Sequence, residues 1–154
     1  MNLFRNKSVL WYIVPLIIIV TSCSSNLKYI KSEFELIKIE DNNFNLDKLG
    51  DGKILIYNGA DVLHQMTGRL NIWINSKPLG QLKLNEYVII NLENNLYDFK
   101  VQHLDLVNMR SNHEIEITAE TKIIRIEPTV FSNKVTITNE APRNSENFKY
   151  MIGK

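Results

Sequence analysis

Residues 69–75, Arg69-Leu70-Asn71-Ile72-Trp73-Ile74-Asn75, alternate between apolar and polar side chains without a break. Leu70, Ile72 and Ile74 fall on one phase, and Arg69, Asn71, Trp73 and Asn75 on the other. Successive side chains of an extended backbone point to opposite faces, so this stretch reads as a strand with one apolar face. Asn75-Ser76-Lys77-Pro78 supplies turn residues, and residues 79–84 (LGQLKL) return as the hairpin partner.

The same signature recurs in both directions. Residues 53–58 (KILIYN) form a short apolar run suited to a buried strand. Residues 86–92 (EYVIINL), 96–103 (LYDFKVQH), 113–119 (HEIEITA), 122–127 (KIIRIE) and 134–138 (KVTIT) read as further strands, separated by Asn-, Glu- or Thr-containing turns. Residues 29–40 (YIKSEFELIKIE) fit helical spacing at Ile30, Phe34 and Ile37 and strand phases at Phe34, Leu36, Ile37 and Ile39, and are taken as a strand. Residues 41–52 (DNNFNLDKLGDG) read as loop. Many short strands with turns about every ten residues, and no long amphipathic helix, predict a small all-β antiparallel sandwich. Alternation implies sheets with one solvated face. The sandwich is expected over residues 53–140, and residues 141–154 as a C-terminal tail.

The first 25 residues carry a different message. Arg5 and Lys7 precede residues 9–20 (VLWYIVPLIIIV), which hold no charge, and small residues follow. A positive start, a short apolar stretch and small residues at its end make a secretory signal. A retained membrane span needs ~20 apolar residues; this run has 12, with Pro15 inside it. Val20-Thr21-Ser22-Cys23 resembles the bacterial lipobox, an aliphatic residue and two small ones before a cysteine, with Val20 where Leu is commoner. A bilayer peptidase must bring the scissile bond beside an acylated thiol, and bulk there would obstruct it. The resemblance implies a signal peptide over residues 1–22, cleavage between Ser22 and Cys23, diacylglycerol on the Cys23 sulfur and an acyl group on the new amine. Residues 23–52 are then the lipidated cysteine, a tether and an N-terminal segment. Ser24 rather than Asp after the cysteine implies the outer membrane, facing the periplasm. Multiple acyl chains anchor stably at ~0.8 kcal/mol per buried methylene.

Composition narrows the remainder. Losing Arg5 and Lys7 reduces 18 basic residues to 16, against 17 acidic ones, a balance of −1. Such a surface lacks the clustered basic face that nucleic acid requires. With one cysteine in the chain, a disulfide framework and a multi-cysteine zinc site are both closed. His103, Asp105 and His113 are the nearest approach to a metal set, but no spacing fixes ligand geometry, and none is expected. No G-x-S-x-G elbow occurs. Glu114 and Glu116 alternate with Ile115 and Ile117 as a solvated strand face does. The chain reads as non-enzymatic, with no cofactor beyond the covalent lipid on Cys23.

The order of strands also resembles the uncharacterised lipoprotein family DUF2846, whose fold is a transthyretin-like sandwich. Ile74-Asn75-Ser76-Lys77-Pro78-Leu79-Gly80-Gln81-Leu82 corresponds to its hairpin motif. Residues 92–97 correspond to its second turn without the Pro-Gly, and residues 117–126 to its late strand without the Gly or tyrosines. The resemblance spans residues 53–127 and implies fold more than function. The candidate surface is Trp73 with Asn71 and Asn75: an outward aromatic is a platform for a partner or sugar, whereas a central strand covered on both faces would bury it. Residues 59–68 (GADVLHQMTG) form a loop with Val62, Leu63 and Met66, either a contact surface or a fold over a sandwich edge. The expected role is a binding or structural module of the cell envelope, anchored to the membrane by lipid, with a protein partner in an envelope or secretion assembly; the type VI secretion lipoprotein is one such anchored sandwich. The alternative is a periplasmic binder of sugar or peptidoglycan fragments.

Overall fold

The computed structural model describes residues 29–38, 46–60, 68–104, 109–129 and 131–151. Ser22 and Cys23 lie outside them, as do His64, Asp105 and the apolar loop residues Val62, Leu63 and Met66. The chain is an all-β sandwich of two sheets. Strands β1 (Lys53–Asn58), β4 (Glu86–Asn91), β7 (Ile123–Pro128), β8 (Asn133–Ile137) and β9 (Lys149–Tyr150) form one sheet, ordered β8-β7-β1-β4-β9. Strands β2 (Arg69–Ile74), β3 (Lys77–Leu82), β5 (Asn95–Leu104) and β6 (Met109–Ile117) form the other, ordered β3-β2-β5-β6.

The apolar phase of β2 faces inward as its pattern requires. Leu70, Ile72 and Ile74 meet Ile54 and Ile56 of β1, Val88 and Ile90 of β4, Phe99 and Val101 of β5, and Ile124 and Ile126 of β7 in one core. Each fully buried side chain of this size contributes ~1.5–3 kcal/mol relative to exposure. The five-stranded sheet is apolar on its other face as well. Leu55, Tyr57, Tyr87, Ile89 and Ile123 are buried there, against Leu49, Ile37, Leu46, Phe148 and Tyr150. Both faces of β1 are therefore covered, which is why KILIYN does not alternate.

Two pairings depart from the antiparallel expectation. β1 pairs with β7 in parallel, and β4 with β9 in parallel; all other neighbours are antiparallel. The described segments on either side of residues 53–140, namely 29–38, 46–52 and 141–151, pack on the sandwich rather than trailing from it. Residues 29–38 hold no strand, but Glu33 N–H donates to Pro78 O at 2.9 Å and Ile37 N–H to Ile89 O at 2.8 Å. The segment thus crosses from the edge strand β3 to the sheet of β4. Its side chains follow: Phe34 and Leu36 pack on the central core, Ile37 on the outer cluster. At the other end of the chain, Met151 is 2 % exposed and its N–H donates to Tyr87 O at 2.8 Å.

The β2–β3 hairpin turns on two residues. Asn75 and Ser76 have φ of 48° and 67°, the pair of left-handed residues that matches the twist of flanking strands. β3 therefore begins at Lys77, two residues earlier than the sequence suggests. Pro78 is tolerated because β3 is an edge strand and needs no second ladder partner. The register then slips between Ile72 and Trp73, where Ile72 faces Gly80 and Trp73 faces Pro78. Gly80 sits in this bulge at φ +123°, and a Cβ on it would lie 3.3 Å from Met151 Cε and 3.4 Å from Ile30 O. Gly80→Ala is expected to cost ~1–3 kcal/mol, the range for an L-residue forced into a sparsely populated backbone region. Urea melts of a chain spanning residues 24–154 measure it; an unchanged midpoint would refute the placement of the terminal segments over β3.

Candidate functional site

With the terminal segments covering the five-stranded sheet, the outer face of the four-stranded sheet is the other candidate, although its Asn71, Gln81 and Gln102 are buried. It carries the polar phase of β2. Cross-strand registry aligns Gln81, Asn71, Gln102 and Arg110 in one row, and Pro78, Trp73, Lys100 and Asn112 in the next. Asn71 and Gln81 are each 5 % exposed, and the Gln81 Nε2 amide donates to Asn71 Oδ1 at 3.0 Å. Asn71 is therefore a buried structural amide. Asn75 is exposed, but its Oδ1 accepts the Asp98 N–H at 2.9 Å and its own N–H donates to Asp98 O at 2.9 Å. Its side chain fastens the hairpin tip to β5.

Trp73 is half-buried, with Lys100 Nζ 5.9 Å from the ring centroid. The lysine lies directly across the ladder from it. Neither of the two expected situations is realised in full: the ring is not core, and part of it is covered. What this face offers is an aromatic edge flanked by a cation, beside the exposed carboxylates Asp98 and Glu114 that face one another on β5 and β6.

Among the described residues, His103 and His113 do not converge. His103 is 3 % exposed and pairs in register with Met109, while His113 pairs with Phe99, four residues along β5. Four strand residues span ~13 Å. His113 Nε2 lies 2.9 Å from Ser111 Oγ, and burial lowers its pKa while the Asp98 carboxylate raises it. Among the described residues no three His, Cys, Asp or Glu side chains cluster as a metal site would need.

A second feature was not visible in the sequence. Tyr57 and Arg125 are register partners on the outer phase of β1 and β7. They open onto a cleft of about 700 Å³, lined also by Asn85, Arg143, Asn144 and Asn147 and closed on one side by Phe148. The Tyr57 and Phe148 rings meet edge-on at 5.4 Å. Arg125 pairs with Glu127 and donates from Nη2 to Gly59 O at 3.2 Å; its buried Nε has no partner among the described residues. Burial raises the Tyr57 pKa, with Arg125 opposing and Glu127 and Glu140 adding to the rise, so the phenol stays neutral at pH 7. Asn85 and Asn144 are both left-handed, at φ 57° and 59°. The cleft thus presents amides, the guanidiniums of Arg125 and Arg143, the Glu140 carboxylate and a phenol, which are hydrogen-bonding groups. The available signal was a tyrosine on the outer phase of a doubly apolar strand, which needed a cover that the strand pattern did not identify.

The sequence matches no protein-family model and no curated protein, and the fold matches no solved structure. Trp73→Ala is expected to cost roughly 1–2 kcal/mol, between the ~0.5 of surface changes and the ~3–5 of an aromatic removed from a core. Ile72→Ala on the opposite phase should cost ~2–5 kcal/mol. Equal losses from the two substitutions, read by denaturant melts, would contradict the assignment of faces.

Proposed function

We propose that the chain is a lipid-anchored lipoprotein of the bacterial cell envelope that acts by binding or holding a partner rather than by catalysis. The observation that carries this reading is Val20-Thr21-Ser22-Cys23 at the end of a charge-free apolar run, only seven residues before Ile30. Ile30 already touches the folded body, through its carbonyl above Gly80. Seven residues reach at most ~25 Å, so an acylated Cys23 would keep the sandwich against its own bilayer. In this reading membrane attachment is made by the acyl chains on Cys23. Ser24 favours the outer membrane, and a DUF2846-like module fits an anchored sandwich of this size. The half-buried Trp73 face, with Lys100 beside it, is the surface assigned to a protein partner.

A second reading, binding of a small sugar or peptidoglycan fragment, is favoured by the cleft at Tyr57 and Arg125. Its polar lining and aromatic wall suit a hydroxyl-rich ligand better than an apolar one. Arg125→Ala should abolish any melting shift produced by such fragments, whereas Trp73→Ala should leave it intact.

Cys23→Ala is expected to eliminate incorporation of labelled fatty acid and to leave uncleaved precursor in the inner membrane. Mass spectrometry of the mature amino terminus reads the outcome directly. A mutant chain that is cut and localised like wild type would sink the lipoprotein reading.

A further inference from the structure

One end of the sandwich gathers three features that point the same way. Residues 30–33 run from Gly80 toward Pro78, antiparallel to β3, so the start of this segment lies toward the Leu82 end of that strand. The buried Asn58 side chain identifies the matching end of the other sheet: its Nδ2 donates to Gly68 O at 2.6 Å and to Leu82 O at 3.3 Å. Asn58 pairs with Ile126, and two residues further β7 ends at Pro128. The β7–β8 turn therefore lies at this same end, and at its tip Phe131 is 88 % exposed.

Charge follows the same division. Among the described residues, strand termini at this end carry Arg69, Lys83, Arg110, Lys134 and Lys149 with Glu86 and Glu127, and Glu146 lies three residues before Lys149; Lys83 stands 4.0 Å from Glu86 and Lys134 4.0 Å from Glu127. The opposite end sets Lys53, Lys77 and Lys122 against Asp51, Glu93, Glu116 and Glu120. Leu96 is also exposed there, at 55 %, but it stands across the ladder from Glu116, a poor neighbour for phosphate. A bulky aromatic at an exposed tip, with Lys134 three residues on and more cations than carboxylates among the described residues of its end, matches an interfacial contact, where the ring enters the headgroup boundary and lysine and arginine meet anionic lipid.

We propose that this end docks on the phospholipid surface, with Phe131 inserted at the headgroup level, so that the sandwich stands upright on its bilayer. The inference rests on acylation of Cys23, which supplies the nearby anchor. The occupant is a bilayer carrying anionic phospholipid, not a protein.

The test uses the intact lipidated chain bearing Phe131→Cys. Acylation consumes Cys23, so the new thiol alone accepts an environment-sensitive fluorophore. Asn94→Cys, an exposed turn position at the far end, serves as the comparison. In vesicles of phosphatidylethanolamine and phosphatidylglycerol, the label at 131 should shift to the blue and lose most of its intensity to spin-labelled acyl chains. The label at 94 should stay as in water. Water-like emission at 131 from protein that still floats with the vesicles would overturn the docking while leaving the anchor in place. Emission at 131 already shifted in detergent-free buffer without lipid would assign the tip to a protein contact instead. Protein that fails to float would remove both the anchor and the inference.

Discussion

A strand that is apolar on both faces cannot remain at a surface, and β1 imposes that constraint on the whole molecule. Ile54 and Ile56 point into the space between the sheets, while Leu55 and Tyr57 point away from it, and all four are buried. β4 repeats the pattern with Val88 and Ile90 on one side and Tyr87 and Ile89 on the other. One sheet can be covered by the other, but the outward phase needs a second layer. Segments from both ends of the chain provide it: Ile37, Leu46 and Leu49 from before β1, and Phe148 and Tyr150 from after β8. The edge-on contacts of Tyr57 with Phe148 at 5.4 Å and of Tyr87 with Tyr150 at 5.7 Å show how aromatic rings fill that layer.

From this covering follow the rest of the arrangements. Because the extended segment after residue 29 must pass from β3 to β4, it lies across the open side of the sandwich and fixes where the chain arrives. The bulge at Gly80 makes room for it, since a side chain there would press on Met151 and Ile30. The remaining outer face, that of the four-stranded sheet, keeps its polar phase and half-exposed Trp73. The cleft beside Tyr57 exists because the C-terminal segment returns over the outer phase without filling it, leaving Arg125 and three asparagines around a polar space.

Much of the fold was legible where period two is clean. Residues 53–58 coincide with β1, and the apolar phase of β2, Leu70, Ile72 and Ile74, lies in the core as its alternation requires. What escaped has physical reasons. β6 starts at Met109 rather than His113 because its first turn of alternation is Arg-Ser-Asn, residues that do not announce a strand but are acceptable on an open edge. β9 is two residues long and owes its existence to pairing with β4. Parallel pairing of β1 with β7 leaves no local mark, since it depends on a partner some seventy residues away. The phase of Asn71 was right and its role was not, because an alternating pattern specifies a face but says nothing of what lies over it. Asn58, read as a strand end, proved to be a buried amide tying the two sheets.

If the terminal segments are one folding unit with the sandwich, their amides should open only when the sheet beneath them opens. Native-state hydrogen exchange on a chain spanning residues 24–154 measures this residue by residue. The account predicts that Ile37 and Met151, whose N–H groups donate to Ile89 and Tyr87, exchange with the slow class of β1 and β4. Exchange of Ile37 and Met151 at the fast rate of frayed ends, with β1 and β4 still protected, would contradict it.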